Sequence, residues 1–363
     1  MSQRLHLRGV VVVDGEVERP ECWVVGGRLT FTRPASVDGV IEGWVLPGLV
    51  DVHCHVGLNL SGAVDQATAR AQALADRDAG TLLIRDAGSP ADTRWVQQTA
   101  DLPELIRAGR HLARPKRYLR SLSRELEDVA ELPEAVAQEA DWGDGWVKLI
   151  ADWIDRAVGP TADLEPLWPA DLLARAVARA HAHGARVTAH TFSTEAIDPL
   201  LAAGIDCIEH GTGLDERQVA EVARRGIPVT PTLLQIGSFD AIADQATRYP
   251  RFAARMRRMG ERRYAHVRDL HDAGVRLLVG TDAGGTIGHG RLPDEAAEMV
   301  RAGVPARDVV AAATWSARSY LGRPGIEEGA PADVVVYAED PRCDIGVLRR
   351  PSAVVLRGAV VGA

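Results

Sequence analysis

One rhythm recurs through the middle of this 363-residue chain and restricts its fold more than any other feature. A segment with helical spacing ends at glycine, a short apolar run follows, and the run ends in a polar residue. The pattern reads GTLLIRDAG from Gly80, GARVTAH from Gly184, GIDCIEHG from Gly204, GIPVTPT from Gly226 and GVRLLVGTDAG from Gly274. Glycine just past a helix commonly takes the left-handed conformation that ends it. The runs are apolar on both faces, as buried parallel strands are. The segments between them, such as LLARAVARAHAH and DERQVAEVARR, carry the amphipathic spacing of surface helices. Repeated helix, glycine and strand amount to βα alternation, hence a parallel sheet. LPGLVDVH near residue 50, a strand around Tyr118 and WVKLI near residue 148 bring the count to about eight strands over roughly 280 residues, the dimensions of a (β/α)8 TIM barrel. An open doubly wound sheet is the alternative, but no GxGxxG follows the first strand to favour it.

The two ends read differently. LHLRGVVVVDGEV and ECWVVGGRLTFT are apolar runs broken by Asp-Gly and Gly-Gly, which are hairpin signals. ADVVVYAED and SAVVLRGAVVGA near the C-terminus are similar. The chain is therefore expected to be α/β, with residues 48–325 forming the barrel. Residues 1–47 and 326–363 together form a small β-sandwich domain in this reading.

Composition narrows the partners. The net charge of -8 disfavours nucleic acid and anionic membrane, leaving a small-molecule substrate. Four dispersed cysteines, Cys22, Cys54, Cys207 and Cys343, give neither a disulfide framework nor a thiolate zinc site. No secretory signal opens the chain, and no run approaches the roughly 20 apolar residues needed to span a bilayer. A reduced, cytoplasmic protein is expected.

Barrel active sites gather at the C-terminal ends of strands, so the residues ending each run carry the chemistry. LVDVHCH ends in His53 and His55, RVTAH in His190, IDCIEH in His210 and RLLVGTD in Asp282, while WVKLI contains Lys148. Strand alternation points both imidazoles of the HxH pair one way and Cys54 the other. Two neutral imidazoles side by side anchor zinc or a similar ion. HAH at 181–183 has the same spacing but lies in a helical pattern and reads as solvated surface. The 42 basic residues include just two lysines, Lys116 and Lys148. Lys116 sits in the basic stretch ARPKRYLR and reads as surface. Lys148 sits in an apolar run, where lysine is rare. Unlike arginine, a buried lysine can lose its proton. The neutral amine can then add CO2 and become an anionic carbamate able to bridge two ions. His190 and His210 lie one βα unit apart, within reach of one ion. Asp282 could cap the next helix, or bind metal and act as a base.

These motifs, together with AATWSARSYLG and IEEGAPADVVVYAEDP, resemble the amidohydrolase superfamily, most closely its imidazolonepropionase-like and metal-dependent prolidase-like branch. The resemblance covers nearly the whole chain. It implies a barrel with a β-sandwich appendage and two divalent ions, zinc being the expected metal. His53, His55 and Asp282 would hold one ion, His190 and His210 the other, and carboxylated Lys148 would bridge them. A homo-oligomer is also in keeping with it. One stretch departs: residues 102–144 lack the glycine- and histidine-rich segment of some prolidase-like members.

Two ions roughly 3.5–4 Å apart can share a hydroxide. In the expected reaction it attacks a substrate carbonyl, and Asp282 passes its proton to the leaving nitrogen. The bond is an amide or peptide C–N bond in a small N-acyl amino acid or dipeptide. Opening of a cyclic amide or lactone, deamination at a single metal, and a catalytically silent barrel scaffold are the alternatives. Three residues are candidate substrate contacts: His289 on the loop after Asp282, Arg120 near the third strand and Arg156 after Lys148. The arginines would act as bidentate partners of a carboxylate.

Overall fold

The computed structural model describes residues 3–362. Residues 1, 2 and 363, the outer ends of the two terminal segments, lie outside the described residues. The glycine-led apolar runs become parallel strands. Leu49–Cys54 pairs with Thr81–Asp86, which pairs with Glu104–Arg107. His111–Ala113 pairs with Trp146–Ile150, followed by Arg186–Thr191, Cys207–His210 and Val229–Thr230, each parallel to the last. Backbone bonds join the two groups. Asp144 N donates to Arg107 O at 2.8 Å, Leu278 N to Val229 O at 3.0 Å and Val52 N to Val279 O at 3.0 Å. Strand order thus follows sequence order, and the segment 277–283 returns to the first strand. This α/β arrangement is consistent with a barrel. Helices such as Ala170–Ala182 and Glu216–Arg225 connect successive strands. Gly226 ends the second of these with a left-handed φ of 64°.

The third strand is displaced from its expected place. It runs through Glu104–Arg107 and His111–Ala113, while Tyr118 lies in a bend beyond it. Its apolar content is two short pairs, Leu105–Ile106 and Leu112–Ala113, set among charged residues, so no apolar run marks it in the sequence.

Alternation along the strands divides the core. Val147, Leu149, Val187, Ala189 and Ile208 face outward into one large cluster with helix residues such as Val177 and Val222. Val50, Val52, Leu83, Trp146, Cys207 and Leu278 fill a second cluster. Full burial of each large apolar side chain contributes roughly 1.5–3 kcal/mol.

The terminal segments form one seven-stranded sheet. Its central strand Gly39–Pro47 lies between Leu5–Val12 and Val334–Tyr337. The sheet curls. Leu29 N donates to Ala330 O at 2.8 Å and Ala332 N to Gly27 O at 3.0 Å, so the edge strand meets the segment that leads into Val334–Tyr337. Leu7, Val24, Val334, Val336 and Val355 cover each other inside the curl. Leu46, Val335, Tyr337 and Val354 face the large core. Val334–Tyr337 and Ala353–Leu356 are buried on both faces, which is why these two strands are apolar throughout. A single curled sheet covers its own inner face, where the sandwich reading has two sheets. All four cysteines are free thiols. No helix among the described residues is long and apolar enough to cross a membrane.

Gly280 holds the returning segment against the first strand. A Cβ there would come within 2.7 Å of His53 Cβ and 2.8 Å of His53 N. Gly280→Ala must separate the two backbones, and overpacking of this kind costs about 1–3 kcal/mol. The expected outcome is a urea midpoint lowered accordingly with an unchanged slope; an unaltered midpoint would show that the two segments are not tightly apposed.

Candidate metal centre

Strand alternation places Lys148 on the face opposite Val147 and Leu149, where it is 1% exposed. His190 likewise points away from Val187 and Ala189. His210 breaks the rule. Glu209 before it points inward to Arg85, so an extended His210 would point outward beside Ile208. Instead its φ is +64°, which turns the ring back toward His190. Asp282 (φ 58°) and Thr232 (φ 48°) share this left-handed conformation just beyond neighbouring strands. Such residues cost on the order of 1–3 kcal/mol each and gather at functional sites.

The six side chains read from the sequence converge. His53 Nε2 and His55 Nε2 lie 3.1 and 3.0 Å from Asp282 Oδ1. Lys148 Nζ is 3.3 Å from His53 Nε2, and His190 Nδ1 is 2.9 Å from His210 Nε2. Cys54 points the other way, into a cluster with Ala69, Ala73 and Ile84.

The outer nitrogens of three rings are engaged. His55 Nδ1 is 2.7 Å from Gly88 O, His53 Nδ1 2.8 Å from Glu209 Oε2, and His210 Nδ1 2.7 Å from Thr232 Oγ1. A carbonyl oxygen accepts only, so His55 carries its proton on Nδ1 and presents a lone pair at Nε2. Burial holds this ring below the usual imidazole range. In the neutral ring the Nε2 lone pair faces the carboxylate oxygen at 3.0 Å, a position in which both can share a bound cation. Burial also drives Lys148 below the usual amine range, His190 well below the imidazole range and His210 down to about 3. Burial opposes ionisation of Asp282, but His53 outweighs it and holds the carboxyl well below the carboxylate range. Burial and Lys148 oppose protonation of His53, but Glu209 and Asp282 outweigh them and raise that ring above the usual imidazole range. The low values of His55, His190 and His210 and the ionised Asp282 are in keeping with what metal ligands require.

Sequence reading missed three nearby residues. Arg85 and Glu209 form an ion pair in which both side chains are 0% exposed. Arg85 Nε donates to Val52 O at 2.5 Å, and its guanidinium lies 4.5 Å from the Trp146 ring centre. Glu209 also accepts from Thr188 Oγ1. Burial alone would raise the Glu209 carboxyl, but Arg85 holds it well below its usual range. A charge inside an apolar strand singles out Lys148, and the same signal is present in TLLIRD and IDCIEH. His111 has no such signal. Its Nδ1 donates to Leu122 O at 3.0 Å, and its ring centre is 5.0 Å from that of His55.

The substrate-contact candidates fare differently. His289 is turned away from the centre: its Nδ1 is 2.7 Å from Asp76 Oδ2 and 3.6 Å from Cys54 Sγ, on the far side of the first strand. The buried carboxylate of Asp76 takes the ring as its partner and draws the loop back with it. Arg120 is exposed in a basic surface hollow with Arg114, Lys116 and Arg117. Arg156 borders both that hollow and a cavity of about 530 Å³ that opens on His55, His190 and Asp282. In the HAH segment, His181 pairs with Asp206 and His183 with Asp141, both at 2.8 Å and at the surface.

The amidohydrolase family model matches residues 44–361. The chain belongs to the amidohydrolase family. An uncharacterized protein of Mycobacterium tuberculosis is 51% identical to this amidohydrolase, over 99% of this chain and 96% of its own. Among solved structures, a Xaa-Pro dipeptidase with methionine in its active site superposes with a TM-score of 0.84 at 22% identity, covering 99% of this chain and 100% of its own. A putative prolidase from Bifidobacterium longum superposes at 0.83 with 25% identity, covering 99% and 95%. The amidohydrolase thus sits among prolidase-like relatives, and family membership supports a hydrolase acting on carbon–nitrogen bonds.

Removing Arg85 strands a buried carboxylate. Arg85→Met is expected to cost about 3–5 kcal/mol, whereas Arg85→Met combined with Glu209→Leu should recover much of that loss. Denaturant midpoints of the two variants check this; equal losses would mean that the pair is not coupled.

Proposed function

We propose that this amidohydrolase is a two-metal enzyme that cleaves the C–N bond of a small amide. The convergence of His53, His55, Lys148, His190, His210 and Asp282, with both Nε2 atoms of the HxH pair within 3.1 Å of Asp282 Oδ1, carries the reading. In this reading residues 48–325 form the (β/α)8 barrel, and residues 1–47 with 326–363 form the appended β domain. His53, His55 and Asp282 would hold one ion, and His190 and His210 the second. Lys148, whose amine burial holds below its usual range, would add CO2 with loss of a proton, and the carbamate would be a ligand shared by the two ions. Bound there, divalent ions, zinc being the expected metal, lower the pKa of water toward neutrality and polarise a carbonyl oxygen.

The chain's own residues supply the rest. Asp282 borders the cavity and is the one carboxylate that does so among the described residues. As water adds to the carbonyl carbon, Asp282 accepts its proton and returns it to the leaving nitrogen as the C–N bond breaks. Glu209 and Gly88 hold the two rings of the HxH pair in orientation through their Nδ1 atoms. The relatives that carry prolidase names favour an amide or peptide over a deaminase substrate.

Protein prepared without chelator is expected to hold close to two transition-metal equivalents per chain. Asp282→Asn should keep much of that metal yet lose about 10²–10⁴-fold in kcat, the usual contribution of a positioned acid–base group. Near-normal turnover in this variant would remove Asp282 from the proton path, and a metal-free wild type, even after reconstitution with zinc and bicarbonate, would end the two-metal reading.

Lys148→Ala tests the carbamate separately. Activity and metal content should both fall, with partial recovery on adding a short carboxylic acid. Full activity without added acid would exclude a bridging carbamate.

A further inference from the structure

The cavity beside the candidate centre has a polarity that narrows the substrate. Its volume, about 530 Å³, lies in the range of sites that take drug-sized ligands. Its walls are mostly apolar. Trp153, Phe192, Ile242, Tyr249, Phe252 and Met256 line it, and none of these carries charge. The roof is built by the helices Phe239–Gln245 and Pro250–Asp272, inserted after the strand Val229–Thr230. They pack on each other through Phe239, Ala243, Phe252, Ala253 and Met256, in a core separate from the large one. Trp153, Ile242, Ala246 and Tyr249 rest on that core but stay half-buried, and all four line the cavity. Apolar surface kept on a cavity wall finds its partner in apolar surface of a ligand.

The charges in the wall are unequal. Arg156 and Arg248 are its two guanidinium groups among the described residues, and both are exposed. Asp282, its one carboxylate, is engaged with His53 and His55. A substrate with a free ammonium group next to the scissile carbonyl would meet no available carboxylate and would lose its hydration in an apolar chamber. An anionic group would meet Arg156 or Arg248.

Resting on the amide-hydrolase reading above, we propose that the substrate is an N-acyl amino acid whose bulky apolar acyl group is seated against Trp153, Phe192 and the helical roof, rather than a dipeptide with a free amino terminus. Its carboxylate reaches Arg156 or Arg248.

Two compounds that differ by a single ammonium group test this: 3-phenylpropanoyl-L-leucine and L-phenylalanyl-L-leucine. N-acetyl-L-leucine serves as the small-acyl comparison. With zinc-loaded full-length protein, kcat/KM for the first should exceed that for each of the others at least tenfold. Calorimetric binding to zinc-loaded Asp282→Asn should follow the same order. In Trp153→Ala the ratio between the 3-phenylpropanoyl and acetyl compounds should fall several-fold. A dipeptide bound or cleaved as well as its desamino analogue overturns the proposal, as does a ratio unmoved by Trp153→Ala. If none of the three is cleaved but the binding order holds, the hydrolase reading fails and the assignment of ligand class stands. If another amide is cleaved and the binding order is absent, the hydrolase reading stands and the ligand class is wrong.

Discussion

The buried carboxylate of Glu209 is the constraint on which the centre of this molecule depends. It has no access to water, so its charge must be matched from within. Arg85 meets one oxygen and His53 Nδ1 lies 2.8 Å from the other, with Thr188 donating as well. These partners come from the strands Thr81–Asp86, Leu49–Cys54 and Arg186–Thr191. One ionic group therefore ties four strands together and fixes the orientation of the His53 ring. A buried ion pair often adds little net stability, because desolvation offsets the attraction. Its effect here is geometric: it excludes arrangements in which these strands shift relative to one another.

The left-handed residues His210, Thr232 and Asp282 express a second constraint. Regular strands deliver every other side chain to the interior. A cluster in which His190, His210 and Asp282 all face one point needs departures from that regularity at the strand ends. The backbone strain is offset by the packing of the large core around it. Hydrogen bonds support it as well, such as that between His210 Nδ1 and Thr232 Oγ1, which joins two of the strained residues.

The helical insertion 239–272 has a different relation to the fold. Its first part, through Met259, joins its own apolar core, while Val267 and Leu270 further along belong to the large core and His266 Nε2 lies 2.9 Å from Gly211 O. The first part supplies a wall beside the centre, and the second ties that wall to the segment that follows His210.

Much of this was open to reading in one dimension. Periodicity gave the βα alternation, and the ends of the apolar runs gave five of the six residues that converge; Lys148 was marked instead by a charge inside its run. The scarcity of lysine made Lys148 stand out. Other features depend on contacts between distant segments. Third-strand residues sit among charges and carry no apolar signature, so the strand was expected around Tyr118 instead of at Glu104–Arg107 and His111–Ala113, and His111 was missed with it. His289 was placed by Asp76, more than 200 residues earlier in the chain, and no local pattern encodes that choice. Nor does any motif announce that Arg85 and Glu209 are partners, although each is individually anomalous in its strand. The sequence by itself determined which side chains arrive at the strand ends; tertiary structure alone decided how they face one another, since the pairing of buried charges and the left-handed turns are set by neighbours in space.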